Sequence, residues 1–296
     1  MSVVQCRRLP ALRSPAMVMA FGGWSDAAEA ATTAVSTLDQ MWDGRHFASI
    51  DPEDFYDFTQ VRPRVYFTEN MNRAIEWPSS WFSYHRHPKQ EHDVVLLRSM
   101  EPQLRWRTFS EGIMSFAERL NASCIVSLGA LLADVPHTRP VQLTGFGTGF
   151  LQGKLRSLGI SMSQYEGPTG ILGVLYEAAT RRGIPAMSLW AAAPHYISTA
   201  TNPHVSIGLL EGLQQAMGWS LDLSSLRDEA RQFTLEVNAI IQANPEASAY
   251  VTRLEEAAQS GQPSPGGPPT EVLLTELEEF LRRRRGNDSN AADEPE

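Results

Sequence analysis

The feature that most limits how this chain can fold is a series of short apolar runs separated by amphipathic stretches. They are Ala16 to Phe21 (AMVMAF), Asp93 to Arg98 (DVVLLR), Ser123 to Leu128 (SCIVSL) and Ala186 to Trp190 (AMSLW). Strands with little polar alternation are those buried on both faces, and strands that alternate with helical patterns build a sheet flanked by helices. The spacing predicts further strands near Arg45 to Ile50, Arg64 to Thr68 and Val141 to Thr144, and helices over 26–39, 107–120, 150–158 and 170–182. Asp26, with Glu29 three residues later, has the spacing of a capping box for the first of these helices. An insert rich in aromatics, with Tyr66, Phe67, Trp77, Trp81, Phe82 and Tyr84, separates the third and fourth strands.

From about Ile207 the pattern is helical only, over 207–217, 223–242 and 247–259, with Pro245 dividing the last two. The expected layout is an α/β domain over 1–219 and a C-terminal helical extension over 220–260. A Pro/Gly linker over 261–270, a tethered helix over 271–285 and a disordered acidic tail over 286–296 follow.

Charge excludes one class of partner. The formal net charge of −9 runs against the basic face that binding nucleic-acid phosphates requires. Four of those charges, Asp288, Asp293, Glu294 and Glu296, belong to the tail, which leaves −5 for the rest. No apolar run reaches the roughly eighteen residues a spanning helix needs. The first apolar stretch is short, broken by Pro15 and followed by Gly22-Gly23, so it reads as a core strand and not a signal peptide. The expected setting is cytoplasmic. Cys6 and Cys124 are too few for a disulfide framework and lack metal-ligand spacing.

One glycine-rich segment invites a nucleotide-binding reading and a second an anion-binding one. In TGFGTGFLQGK (144–154), Thr148 stands where a phosphate loop needs its first glycine, and Leu155 where it needs a hydroxyl. Phe150 likewise replaces the third glycine of the dinucleotide fingerprint, so the segment reads as a structural turn. The loop Gly167-Pro168-Thr169-Gly170 opens a helix, whose free N–H groups either hold an anion, with Gly167, Thr169 and Gly170 as candidates, or are simply capped. His85, His87 and His92 lack the spacing of a zinc site. No metal or cofactor is expected, and no catalytic residue is assigned.

Polar residues just after the predicted strands carry more weight, because ligands of open α/β sheets bind at the carboxyl ends of the strands. Four loops supply them. They hold Trp24, Ser25 and Asp26; Glu101 and Trp106; Asp134, His137, Thr138 and Arg139; and His195, Tyr196 and Asn202. Histidines beside Asp134 or Glu101 can transfer protons near neutral pH. The plainer alternative is that each imidazole binds a loop carbonyl and fixes its turn.

Four segments together, FGGWSDAAEAA, EPQLRW, GALLADVPHTRP and LWAAAPHYISTATNPH, resemble the actinobacterial branch of the proteasome assembly chaperone two family, over roughly residues 12–258. The resemblance implies an α/β fold similar to nucleoside phosphorylases with an added C-terminal helical region. It also implies homo-oligomers, with a trimer favoured, and chaperone or adaptor work on protein partners that are proteasome-related. Members are also often labelled ATP-grasp-type ligases, but no phosphate loop or metal carboxylate cluster appears here. Some archaeal relatives carry a hydrophobic-Tyr-any-residue tail that docks into proteasome pockets; Asp293-Glu294-Pro295-Glu296 departs from that pattern. The alternative function is a small-molecule enzyme or sensor that takes a nucleoside-like or anionic ligand in the strand-end crevice.

The segment 271–285 sets Val272, Leu273, Leu277, Phe280 and Leu281 in one narrow stripe before four arginines. It is expected to pack on a neighbouring subunit or partner, or to float on its linker. Deleting 261–296 is expected to lower oligomer size or melting temperature, measured by sedimentation and calorimetry. Two unchanged values would eliminate the packing alternative.

Overall fold

Burial on both sides of a few central strands organises the molecule. The elements, in chain order, are β1 (Val4–Cys6), β2 (Ala16–Gly22), α1 (Ala30–Met41), β3 (Arg45–Ile50), β4 (Arg64–Phe67), β5 (Arg73–Glu76), β6 (Ser80–His85) and β7 (Val94–Met100). They continue with α2 (Trp106–Arg119), β8 (Cys124–Ala133), β9 (Leu143–Gly147), α3 (Phe150–Ser157), β10 (Ser161–Met162), α4 (Ile171–Arg181) and β11 (Ala186–Pro194). The last three are α5 (Pro203–Met217), α6 (Ser224–Ala243) and α7 (Pro245–Ser260). The computed structural model describes residues 2–68, 70–86, 91–197 and 201–260; His87 and the expected linker, tethered helix and tail lie outside them.

Nine strands form one sheet in the order β1-β3-β6-β7-β2-β8-β11-β9-β10. The central run β7-β2-β8-β11 is parallel. All seven residues of β2 are buried, and its pleat divides them. Ala16, Val18 and Ala20 face α1 and α5, while Met17, Met19 and Phe21 face α2 and α4. The fold is therefore α/β with a large central sheet, helices on both faces and helices at the C-terminal end.

The structure departs from the sequence expectations in three places. The segment near Arg64 to Thr68 is a strand but not part of the main sheet. It pairs only with β5, in a separate two-stranded hairpin. The aromatic insert also supplies β6, which enters the main sheet between β3 and β7, with Phe82 buried and Trp81 outside. Finally, Asp26 and Glu29 do not form a capping box. Helix α1 begins only at Ala30, after a 3-10 turn over Ala27–Glu29. Asp26 reaches forward to accept from the N–H groups of Ala31 (2.7 Å) and Thr32 (3.1 Å), and Glu29 turns away to Thr201 (2.8 Å).

The segment TGFGTGFLQGK becomes strand β9, which lies between β11 and the edge strand β10 and runs into α3. A Cβ on Gly145 would stand 2.7 Å from the carbonyl oxygen of Ser188, so close strand packing accounts for that glycine. Cys124 is buried in the core, and burial pushes its thiol up to about 11, which suppresses the thiolate. Among the described residues no helix is long and apolar enough to cross a membrane.

Phe109 anchors the α2 face. It is fully buried, with its ring 6.1 Å from Phe21 and 5.2 Å from Phe55. Phe109→Ala is expected to cost about 3–5 kcal/mol in a urea unfolding curve, because truncation leaves a cavity that the surrounding rings cannot fill.

Candidate functional site

The strand-end loops do form clusters, but the cavity lined by His137, Arg139 and Asn202 does not include Trp24 or Glu101. One cluster gathers at the N-terminus of α4. The N–H of Ile171 donates to Glu101 Oε1 at 2.8 Å, so the anion at this helix end is one of the protein's own carboxylates. Of the two alternatives for this loop, capping is the one seen at Ile171. Gly170 is required for the fit, since a Cβ would lie 2.7 Å from Ser25 Oγ, 2.8 Å from Glu101 Oε1 and 2.9 Å from the Trp24 ring. Ser25 is buried and its hydroxyl has no hydrogen-bond partner among the described residues. Gly167 lies against the Tyr165 ring, and the Thr169 hydroxyl donates to the carbonyl of Gly170 at 3.4 Å.

The second cluster lies under the C-terminal helices. Tyr196 Oη accepts the backbone N–H of His137 at 2.7 Å and lies 2.8 Å from its Nδ1. The other ring nitrogen, Nε2, sits 3.0 Å from Asn238 Oδ1 on α6. A carbonyl-type oxygen only accepts, so Nε2 carries the proton and Nδ1 accepts from the tyrosine hydroxyl. The imidazole is thus held neutral, and burial lowers its pKa below the ordinary histidine value. Burial also raises the Tyr196 phenol.

His195 Nδ1 lies 3.0 Å from Asp134 Oδ1, within ion-pair distance but not aligned as a hydrogen bond. Its Nε2 faces the Tyr250 hydroxyl of α7 at 3.4 Å. Thr138 donates to Glu255 of α7, and His204 bonds Thr234 of α6 at 2.6 Å. Around these contacts Tyr196 and Ile197 pack with Phe233, Val237, Ile241, Tyr250 and Leu254. The histidines that the sequence offered for proton transfer therefore fasten α6 and α7 across the ends of β8 and β11. The cavity left beneath measures about 20 Å³, room for about one water.

The remaining candidates serve local structure. Asp26 anchors the start of α1, and burial raises its carboxyl pKa against the pull of its bonds from Thr32. Asn202 accepts from the N–H of His204 at 3.1 Å as the N-cap of α5. The Trp106 indole donates to the carbonyl of Pro102, and the Arg139 N–H to that of Pro136. Among the described residues no group of three His, Cys, Asp or Glu side chains is placed to hold a metal ion. His85 and His92 instead contact the carbonyls of Trp42 and Ser14 at 2.9 Å each.

Sequence reasoning missed a wide opening among the described residues. A cleft of about 1060 Å³ lies between the exposed side of α1, the β4–β5 hairpin and the start of α6, with Glu29, Arg64, Trp77, Trp81, Arg98 and Glu229 among its walls. The aromatic insert was its visible signal; the cleft itself depends on how far the hairpin stands from α1, which no local pattern encodes. Its walls carry both charge signs, hydroxyls and two indoles. That inventory suits polar contact with another chain as well as it suits a small molecule.

Comparison with known proteins adds independent information. The model of the PAC2 family matches residues 20–241. The chain is 42% identical to a crystallised PAC2 family protein from Streptomyces avermitilis, with a TM-score of 0.73 over 80% of this chain and 99% of that one. It is 38% identical to a proteasome-assembly chaperone homologue from Mycobacterium tuberculosis, with a TM-score of 0.72 over 80% and 99%. An archaeal proteasome activator from Pyrococcus furiosus shares the fold at 14% identity and a TM-score of 0.65, over 80% and 97%. No protein with a curated description matches the chain.

The His137 geometry sets a pH dependence. A proton on Nδ1 would oppose the tyrosine proton it now accepts, and the folded pKa is lowered, so the undocked state takes up the proton first. The docked state is then fully stable above the ordinary histidine value of about 6.5 and weakens as pH falls below it. Amides of α6 are expected to exchange hydrogen several-fold faster at pH 5.5 than at pH 7.5, after correction for intrinsic rates. His137→Gln is expected to flatten that difference.

Proposed function

The chain belongs to the PAC2 family, and from that premise we propose that it is a chaperone- or adaptor-like protein working through protein–protein contacts in the cytoplasm. Its partners are proteasome-related, and it acts as a homo-oligomer, with a trimer favoured by the fold resemblance. The observation that carries this reading is the occupied crevice. Where an open α/β sheet offers a small molecule its binding place, α6 and α7 supply Asn238, Tyr250 and Glu255 to the candidate residues instead. What the chain leaves bare is large, apolar and outward-facing: Tyr66, Phe67, Met71 and Trp77 are all about half exposed or more. Large apolar side chains exposed together on one hairpin support contact with another macromolecule. The mycobacterial and archaeal structures, a proteasome-assembly chaperone homologue and a proteasome activator, support this class of partner.

The test uses proteasome core subunits from the same cells. The purified chain, mixed with unassembled subunits, is expected to bind them and to raise the rate of core-particle formation, followed by native electrophoresis and peptidase activity. An unchanged rate with no binding would sink the proposal. A parallel thermal-shift panel of nucleosides, nucleotides and phosphate is expected to leave the melting temperature in place, because only a ligand of the folded state raises it. A clear rise with any of them would move the reading to small-molecule recognition.

A further inference from the structure

The walls of the cleft beside α1 face one another. Trp81 pairs with Arg98 across β6 and β7. Leu96 and Val94, two and four residues before Arg98, pack in the same cluster as α1, so the pleat sends Trp81, Arg98 and Met100 out of the sheet on the side of that helix. Trp81 and Met100 are exposed by 50 and 37%, and Trp77, where the chain returns from the hairpin, by 47%. Across from them α1 presents Thr33, Ser36, Thr37 and Gln40, a single helical face that carries no charge.

Charge separates the two ends of this opening. Arg64 and Arg98 line it on the side of the hairpin and sheet, and Asp222 and Glu229 line it at the start of α6. The two arginines have no ion-pair partner among the described residues. At about 1060 Å³ the cleft exceeds the roughly 300–1,000 Å³ of pockets that enclose a small molecule. A polypeptide segment with apolar residues on one face, and with its two charge signs set apart along its length, would match it. The segment 271–285, which lies outside the described residues, has that pattern in its sequence. Leu273, Leu277 and Phe280 follow at i, i+4 and i+7, the spacing with which amphipathic helices enter grooves. Glu271, Glu276, Glu278 and Glu279 come before Arg282 to Arg285.

We propose that 271–285 folds back as a helix into the cleft of its own chain. Leu273, Leu277 and Phe280 meet Trp77, Trp81 and Met100, the glutamates lie toward Arg64 and Arg98, and the arginines lie toward Asp222 and Glu229. Chain length argues for this occupant. Asn244 alone joins α6 to α7, and Phe233 and Leu254, eleven residues before that joint and ten after it, belong to one packed cluster. Helix α7 therefore runs back beside α6, toward the turns that border the cleft. The ten residues 261–270 that follow reach at most about 33–36 Å. That exceeds the length of a fifteen-residue helix, about 22 Å, and of α1, about 18 Å. So short a tether holds the segment at millimolar effective concentration, well above that of a separate chain in micromolar solution. Any partner that uses the cleft must then displace it.

Cysteine labelling of the full chain tests this. Gln40→Cys places a thiol in the cleft and Arg156→Cys places one on α3, away from it, and mass spectrometry follows each cysteine separately. The thiol at position 40 is expected to react several-fold faster once Leu277→Ser and Phe280→Ser are added, while the rate at position 156 stays the same. Its protection in the otherwise unaltered chain is expected to persist on dilution. Equal rates at position 40 with and without the two serines, or a rise at both positions together, would overturn the docking. Protection that fades on dilution would assign the cleft to the segment of a second copy and overturn docking within one chain. Ser36→Cys replaces Gln40→Cys if circular dichroism shows that the latter disturbs α1.

Discussion

A parallel sheet has no face to spare for water. Four adjacent parallel strands, β7, β2, β8 and β11, must be covered above and below, and β2 shows the requirement in its strictest form, with every side chain enclosed. Its small residues, Ala16, Val18 and Ala20, face the side where α1 brings Ala30, Ala31 and Ala34, so helix and sheet approach closely there. Its large residues, Met17, Met19 and Phe21, face the aromatic layer of Phe109 and Phe116. The difference in thickness between the two layers follows from that single strand, and the positions of α1, α2, α4 and α5 follow from the layers.

The carboxyl ends of the same strands create the second constraint. Loops that leave them carry polar groups which water, a ligand or the protein must satisfy. Here the protein does so for most of them. Glu101 takes the first N–H of α4, Asp26 takes those at the start of α1, and His137 is held between Tyr196 and Asn238. A neutral histidine donating to an amide oxygen while accepting from a phenol has both nitrogens engaged. The constellation that looks catalytic along the sequence also ties α6 and α7 to the strand ends.

Much of the sheet was legible in the sequence because its signal is local. Continuous apolar runs mark β2, β7, β8 and β11 within a few residues, and the helices α2, α3, α4, α6 and α7 follow from apolar spacing at about 3.6 residues per turn. The strands that escaped notice are edge or half-exposed ones. In β6 the buried residues Ser80 and Ser83 are polar and the exposed Trp81 is apolar, the reverse of the usual alternation. Ser80 tolerates burial because its hydroxyl joins those of Tyr56 and Ser99, 3.2 and 2.7 Å away. The residues of the site were visible one by one as polar groups after strands. Their partners were not, because Asn238, Tyr250 and Glu255 come from helices 101, 55 and 117 residues further along the chain and carry no motif.

The order of elements along the chain gives the fastening a dimension in time. The last central strand ends at Pro194 and the helices that cover its carboxyl end are complete only at Ser260. At the ~5–20 residues per second of synthesis, that interval lasts about 3 to 13 s. Throughout it, a folded sheet on the ribosome has its polar end open and Tyr196 without its neighbours, so the nascent protein presents a surface that the finished one conceals.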